Sequence, residues 1–490
     1  MVDLNLPSLV PNFVDGQEIA ALAGEWFEKL SPATGRVLVQ VARSRAADIR
    51  AAVVAARRAQ SDWADATVVS RGDQLRSMAL GLQECQNEIA RLVASETGKS
   101  LKDARAETGA AIEMGMFVAG EGRRFYGRTT TSAVPNKTAL TVRQPLGVAG
   151  LIIAANTPIA NVAWKVFPAL LCGNAVVLKA SEDTPLGAWA FARIAREAGL
   201  PPGLLNVVHG LGEEAGAPLV ESPDVDLISF TGSTAVGRHI AQAAGARLAK
   251  VCLELGGKNP LIVCDDADLD TAVESAVLSA FSNAGQRCAA GSRIIVFGSV
   301  YETFRERLLA RVARLRIGGE DDDDFGPVIN EAQLAAMCAA IESARRQGAT
   351  VLTGGRRLTG PGYDGGYFLE PTLLEDATPE SVISRTELFG PISILYRVPD
   401  FESALRLAHD SPYGLTASIH TLSIHRAMTF LGRVRAGVAV VNGATYGSEP
   451  HLPFGGLGES GTGWREAGTE ALDVYSEWKT IYLNFNPRAV

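Results

Sequence analysis

The chain has 490 residues, 47% of them hydrophobic and 20% charged, with a formal net charge of −8. That length exceeds a single hydrophobic core and predicts two or three domains of an ordinary soluble globular protein. The acidic balance argues against nucleic acid or an anionic membrane as partner, and no apolar run reaches the length of a bilayer span. Residues 1–10 carry no basic stretch followed by an apolar core, and the six cysteines lack metal-type spacing. A cytoplasmic protein with reduced thiols is expected.

Residues 1–45 read as short extended pieces joined by Pro, Gly and polar turns. A helix follows in which Ile49, Val53 and Trp63 share one side, with Ser44 as its expected N-cap. In a second helix Leu75, Leu82, Ile89 and Leu92 share a side and Gly98 marks the end. Both faces are core packing. Residues 125–145 alternate Thr, Val and polar residues up to Pro145, the pattern of a β-hairpin, and 480–485 has the same character. From Val148 strands alternate with helices: strands at 148–154, 175–179, 205–208 and 226–230, helices at 164–171, 186–198, 213–221 and 235–244. Continuously apolar strands between helices mean a parallel sheet covered on both faces, which takes ligands at the carboxyl ends of its strands. A second α/β region starts near Gly257, with strands at 261–263, 294–297, 392–396, 417–420 and 438–441 and helices at 269–281 and 300–315. The acidic run from Asp321 to Asp324 reads as a solvated loop without the spacing of a calcium site, so no metal is expected.

Three stretches carry chemistry-bearing side chains. Cys288 lies in a loop of small residues just before an apolar strand. Little bulk around the sulfur, nearby backbone N–H groups and a strand to fix the loop suit a nucleophilic thiol. Taken alone, such a cysteine is more often a small buried hydrophobe. Gly232-Ser-Thr-Ala-Val-Gly237 sits at a strand-to-helix turn, where free N–H groups and the helix dipole favour a pyrophosphate; alone it is a glycine-rich turn. Lys179 and Glu182 close another strand. They either form a surface ion pair or bond the hydroxyls of an adenosine ribose, where the carboxylate would repel a 2′-phosphate and favour NAD over NADP.

These stretches belong to a longer series. It runs through 150–156 followed by Trp164-Lys165, Leu178-Lys179-Ala-Ser-Glu182, Phe230-Thr-Gly-Ser-Thr234 with Gly237, and Leu253-Glu-Leu-Gly-Gly257. Gly285-Gln-Arg-Cys288, Glu387-Leu-Phe-Gly-Pro391 and Pro453-Phe-Gly-Gly456 complete it. In these motifs the sequence resembles the aldehyde dehydrogenase superfamily nearly end to end. The resemblance implies an α/β fold of two parallel-sheet domains, one dinucleotide-binding (1–124 and 146–256) and one catalytic (257–456). A small β oligomerisation arm (125–145 and 470–490) would make a homodimer or homotetramer.

The resemblance also implies NAD-dependent oxidation of an aldehyde to an acid, with NADP less favoured. Cys288 would add to the carbonyl, the Asn156 amide and the Cys288 N–H would hold the oxyanion, and Glu254 would activate water against the resulting thioester. Lys165 and Glu466 match residues that relay protons from that glutamate. The cofactor is expected among Ile153, Lys179, Glu182, Gly212, Gly232, Ser233, Gly237, Leu255, Glu387 and Phe389. Lys179 and Glu182 belong to the ribose, Gly212 to the adenine, and Glu387 and Phe389 to the nicotinamide. Many relatives carry Pro-Trp before the asparagine matching Asn156; here the pair is Ala154-Ala155, which removes one pyrophosphate contact.

For the substrate, Arg287, Asn161, Trp164 and Tyr446 are the candidates. Resembling sequences with Gly-Gln-Arg-Cys include enzymes that oxidise semialdehydes of acids. An arginine in that place either holds a carboxylate bidentately or pairs within the structure. Asn161 takes a position often apolar in relatives that oxidise simple aldehydes. Tyr446, Glu449 and His451 precede Pro453-Phe454, at the expected mouth of the substrate site. A polar or acid-bearing aldehyde is therefore expected. Two alternatives remain: a relative that passes the thioester to coenzyme A, against which Glu254 argues, and a dinucleotide-binding scaffold with a dead site, against which Cys288, Glu254 and Asn156 argue together.

Overall fold

The computed structural model describes residues 2 and 4–488 and contains two seven-stranded sheets. The first runs Lys250–Glu254, Leu227–Thr231, Val148–Ile152, Ala175–Lys179, Leu205–Val208, Asn12–Val14, Gln17–Ile19. Its first five strands are parallel, and the last two form an antiparallel edge. Every residue of Val148–Ile152, Ala175–Lys179 and Leu205–Val208 is buried, which is why these strands read as apolar runs rather than alternations. The chain fills the sheet outward from Val148–Ile152, then returns to place Leu227–Thr231 on that strand's other side. This reversal opens a crevice beyond the carboxyl ends of the two strands, the usual ligand seat of such sheets.

The second sheet runs Thr350–Thr353, Thr372–Glu375, Ile392–Val398, Gly291–Phe297, Asn259–Val263, Thr416–His420, Val438–Val441, all parallel except the Thr350–Thr353 edge. Helix Leu269–Phe281 connects two of its inner strands and leads into the Cys288 loop. Each sheet has its own apolar core. The first is drawn from residues up to Leu255, joined by Ala467, Leu472, Val474 and Tyr475, and the second from Leu261 onward. A third, three-stranded sheet pairs Ser476–Asn484 with Lys137–Pro145, and that strand with Thr129–Thr130, all antiparallel. The hairpin expected at 125–145 is therefore present. Its partner strand begins at Ser476, earlier than 480, and the short helix Ala471–Tyr475 before it belongs to the first core.

Several local expectations change. Ser44 is not the N-cap: its hydroxyl is buried against Asn12, and the helix Ala46–Asp65 is capped by the Asp48 carboxylate accepting the Arg45 N–H at 2.9 Å. The expected second helix is two, Val68–Glu84 and Gln86–Thr97, broken at Cys85, with Gly98 ending the latter at φ +75°. The segment 213–221 opens with a single π turn, Gly212–Gly216, before it becomes α-helical. Helix Leu101–Glu121 was not anticipated. Half of its ten buried residues are small, Ala104, Thr108, Ala111, Gly115 and Ala119, so it lacks the continuous large apolar stripe that marks a helix in sequence. A Cβ at Gly115 would come within 2.6 Å of the Phe167 ring, so the small residues allow close helix packing. The acidic run at 321–324 closes locally: Asp324 accepts the Arg316 N–H and Asp323 the Glu320 N–H, each at 2.8 Å. Among the described residues no helix is long and apolar enough to cross a membrane.

Candidate active site

A cavity of about 660 Å³ is bounded by loops of both sheets, and Cys288, Asn156, Glu254 and Glu466 all line it. Cys288 comes from a strained loop. Asn283 and Ala284 both lie at φ +54° and Gly285 at +65°, three successive left-handed residues of which only the glycine is free of a steric cost. The loop is held from several sides. The Gln286 amide donates to the Asn283 and Pro327 carbonyls and accepts the Ile329 N–H. Beyond the cysteine, Asn259 Nδ2 donates to the Cys288 carbonyl at 2.8 Å and the Ala290 carbonyl at 2.9 Å, while Thr445 Oγ1 donates to the Ala289 carbonyl at 2.7 Å. The sulfur is thus positioned by backbone carbonyls on either side of it.

Asn156 lies just past the central strand Val148–Ile152, ahead of helix Pro158–Leu171. Its Nδ2 donates to the Gln286 carbonyl at 3.1 Å, and its own carbonyl accepts from Lys99 Nζ at 2.9 Å and Asn283 Nδ2 at 3.3 Å. An amide NH₂ has two protons, so one remains for a ligand oxygen.

Glu254 ends strand Lys250–Glu254, and neither of its buried carboxyl oxygens has a hydrogen-bond partner among the described residues. Burial, then the neighbouring Glu466, push its pKa well above the usual carboxylate range, and Lys165 opposes them. Lys165, fully buried, donates to Glu466 Oε1 and to Ser229 Oγ at 2.8 Å; Ser229 donates to the same carboxylate at 2.9 Å and accepts from Tyr475 at 3.2 Å. The expected Lys165 and Glu466 are therefore brought together, and Ser229 and Tyr475 join them. The signal for Ser229 was present as a lone hydroxyl in the apolar run Leu227-Ile-Ser-Phe230.

Burial, with Glu387 and Glu254 nearby, pushes the Cys288 thiol up to about 12. The loop therefore does not supply a resting thiolate, and the proton must leave as the sulfur attacks. Glu387 also lines the cavity. Its pKa is raised by burial to about 7, although its carboxylate accepts the Gly257 N–H at 2.9 Å.

The expected cofactor residues divide between the cavity and the crevice beside it. Gly232, Ser233, Leu255, Glu387 and Phe389 line the cavity. Ser233 caps helix Thr234–Ala246 by accepting the Val236 N–H, so the remaining first-turn N–H groups face the same place. Thr231, whose buried hydroxyl has no partner among the described residues, lies beside them. At Gly237 a Cβ would meet the Leu255 side chain at 2.5 Å, so the glycine is needed where helix and loop touch. Ile153, Lys179, Glu182 and Gly212 do not line the cavity but lie in or beside the strands of the first sheet. Ile153 donates its N–H to the Lys179 carbonyl, and Gly212 begins the π turn after strand Leu205–Val208. Lys179 Nζ bonds Glu182 at 2.6 Å, so the ion-pair reading of these two is realised, with the lysine buried and the glutamate exposed to solvent.

The substrate candidates are all in the cavity wall. The Arg287 guanidinium stacks on the Tyr446 ring at 4.6 Å and donates from Nε to Ser282 Oγ at 3.1 Å, with no carboxylate paired to it among the described residues. Asn161 Nδ2 sits 3.3–3.4 Å from the Ala154 carbonyl, Asn156 Oδ1 and Thr157 Oγ1. Trp164 meets Phe454 edge to face at 5.8 Å. Glu449 and His451 are exposed and near each other at 3.7 Å, outside the lining. Lys99, Glu107 and Asn283 also line the cavity and were not anticipated.

Comparison with known proteins finds relatives over almost the whole chain. The chain is 38% identical over 475 residues to the alpha-ketoglutaric semialdehyde dehydrogenase of Bacillus subtilis (strain 168), covering 96% of this chain and 97% of that protein. It is 37% identical to an aldehyde dehydrogenase of Davidiella tassiana, over 96% of this chain and 93% of that one. Betaine aldehyde dehydrogenase from Staphylococcus aureus, solved in complex with NAD+, superposes with a TM-score of 0.95 at 32% identity, covering 98% of this chain and 96% of that one. A point mutant of the same enzyme, also with NAD+, carries a BME-modified cysteine. The family model described as the aldehyde dehydrogenase family matches residues 20–481, and the chain belongs to that family.

Proposed function

We propose that this chain oxidises a polar or acid-bearing aldehyde to its carboxylic acid with NAD, through a thioester on Cys288 that water hydrolyses. The observation that carries the reading is the convergence of Cys288, Asn156 and Glu254, from three separate segments, on one cavity. Gly232, Ser233 and the helix start at Thr234 suit the pyrophosphate, with Thr231 Oγ1 an unused donor beside them. Lys179 and Glu182 would exchange part of their mutual bond for the ribose hydroxyls, which favours NAD over NADP. When bound, NAD supplies the hydride acceptor.

An aldehyde carbon releases hydride poorly until a nucleophile adds to it. The Cys288 sulfur attacks while its proton passes to solvent water, forming a hemithioacetal oxyanion. The second Asn156 amide proton and the Cys288 N–H stabilise that oxyanion. Hydride loss leaves the thioester. Water then attacks it, Glu254 takes the water's proton, and the acid leaves as the thiol is restored. A carboxyl placed in the cavity wall serves water rather than coenzyme A, since acyl transfer to a thiol needs no such base. Because Glu254 is held above the usual carboxylate range, hydrolysis gains rate as pH rises through its pKa. Glu466 raises that pKa more than Lys165 lowers it. Glu466→Gln is therefore expected to move the pH limb of thioester hydrolysis to lower pH; a limb moved upward, or unmoved, would refute the coupling.

Arg287 supports the acid-bearing substrate. It is a cation on the cavity wall, oriented by Tyr446 and Ser282 and without a carboxylate of its own. The likeness to an alpha-ketoglutaric semialdehyde dehydrogenase supports the same class. A carboxylate lost from such a donor costs about 1.5–3 kcal/mol, so Arg287→Met is expected to raise KM for succinic semialdehyde about 10- to 100-fold while leaving hexanal nearly unaffected. Preference of the unmodified enzyme for hexanal would sink this substrate class.

The same reading takes 1–124 with 146–256 as the dinucleotide-binding domain, 257–456 as the catalytic domain, and 125–145 with 470–490 as an arm for a homodimer or homotetramer. The two separate cores support the division, and the exposed Trp478, Tyr482, Leu483 and Phe485 support the arm. A reducing, cytoplasmic setting is supported by six unpaired cysteines.

A further inference from the structure

We propose that Lys99 and Glu107 are positioning residues for this reaction, a buried ion pair that holds the Asn156 turn in register with Cys288; this rests on the role of Asn156 argued above. Neither lies in any motif that carries the family resemblance. Lys99 follows Gly98, whose φ of +75° and close approach to Pro327, 2.4 Å from a would-be Cβ, leave no room for another residue. Glu107 sits on helix Leu101–Glu121. Their side chains are only 6% and 5% exposed, and Lys99 Nζ lies 2.6 Å from Glu107 Oε2.

The remaining bonds of the pair go to one short segment. Lys99 Nζ donates to the Asn156 carbonyl at 2.9 Å. Glu107 Oε1 accepts the N–H groups of Ile159 and Ala160, at 3.1 and 3.5 Å, in the first turn of helix Pro158–Leu171. Thr157, the N-cap residue of that helix, makes no side-chain cap. A carboxylate from a different helix caps it instead, and the attached lysine grips the residue before. Both ends of 156–160 are therefore tied to one ion pair, and the helix so fixed carries Asn161, Trp164 and Lys165.

A threonine cap alone would satisfy one of those helix N–H groups. A buried ion pair is a poor route to stability compared with apolar residues of similar size. What this pair adds is a fixed position for the Asn156 backbone. An oxyanion donor acts only where it meets the developing charge, and a displacement near 1 Å costs on the order of 100-fold in rate.

The test compares the enzyme with Lys99→Met, Glu107→Gln and the double variant. Three readouts are taken on each: the single-turnover rate of NADH formation with saturating succinic semialdehyde and NAD, the melting temperature, and the rate at which iodoacetamide alkylates Cys288. Each single variant leaves a buried charge unpaired and is expected to melt early. The double variant removes both charges, and the amide at position 107 still accepts the Ile159 N–H. It is expected to melt close to the unmodified enzyme and to alkylate at an unchanged rate, yet to form NADH about 10- to 100-fold more slowly. Recovery of NADH formation together with the melting temperature would overturn the proposal, since the pair would then only balance charge. Should the double variant also melt early, Lys99→Arg decides. It keeps the charge but moves the donor away from the Asn156 carbonyl, and either an unchanged NADH rate or early melting in this variant too would overturn a positioning role. Absence of any NADH formation by the unmodified enzyme would instead defeat the reading of the site itself.

Discussion

Cys288→Ala is expected to abolish NADH formation with every aldehyde, a loss on the order of 10 000-fold or more, as when the nucleophile of a covalent mechanism is removed. No other thiol can replace it: the remaining cysteines are Cys85, Cys172, Cys252, Cys264 and Cys338, none of which lines the cavity. The loop should survive the change, because it is held through backbone carbonyls by Asn259 and Thr445 and not through the sulfur. An unchanged melting temperature and retained NAD binding would therefore accompany the loss. The alkylation of the unmodified enzyme by iodoacetamide should rise steeply with pH, since burial, Glu387 and Glu254 hold the thiol up near 12. Removing a carboxylate charge favours the thiolate, so Glu387→Gln should speed alkylation at a given pH. Turnover by Cys288→Ala at the unmodified rate would end the thioester mechanism.

Glu254→Gln should separate the two halves of the reaction. Formation of NADH needs the thiol and the oxyanion donors, whereas hydrolysis needs the base. The variant is expected to release one equivalent of NADH per site and then turn over 100- to 10 000-fold more slowly, the range for loss of a general base. The acylated cysteine should be visible as a mass increase of the protein. The fold should tolerate the change, because burial already drives Glu254 towards its neutral form and an amide of the same shape replaces it. Continued turnover at the unmodified rate would remove Glu254 from the hydrolytic step. A burst that resumes only when coenzyme A is added would move the enzyme to the acyl-transferring reading.

Much of this was readable from local pattern. Runs such as 175–179 and 205–208 became strands with those bounds because a strand buried on both faces has no alternation to blur. Helix 269–281 was found with its expected bounds, and the structure adds its cap, the Asp268 carboxylate accepting the Asp270 and Thr271 N–H groups. Helix Leu101–Glu121 was not readable, because half of its buried residues are small and no continuous large apolar stripe marks it. The break at Cys85 is likewise a packing outcome without Pro or Gly to announce it.

By itself the sequence determined the reaction class, because its ordered motifs carry the family resemblance that gives a thiol, an amide and a carboxylate their roles. It also determined the parallel α/β architecture, because strand burial is written in consecutive apolar residues. Only the tertiary structure decided how those groups are tuned. Glu254, Glu387 and the Cys288 thiol owe their raised pKa values first to burial, with Glu466 adding to Glu254 and the two carboxylates Glu387 and Glu254 adding to Cys288, and that burial comes from segments far apart in the chain. It also decided that Arg287 stands against Tyr446 without a carboxylate, and that Lys99 and Glu107 grip the turn of Asn156. Hydrogen bonds and desolvation depend on distance in space, which residue order along a chain does not encode locally.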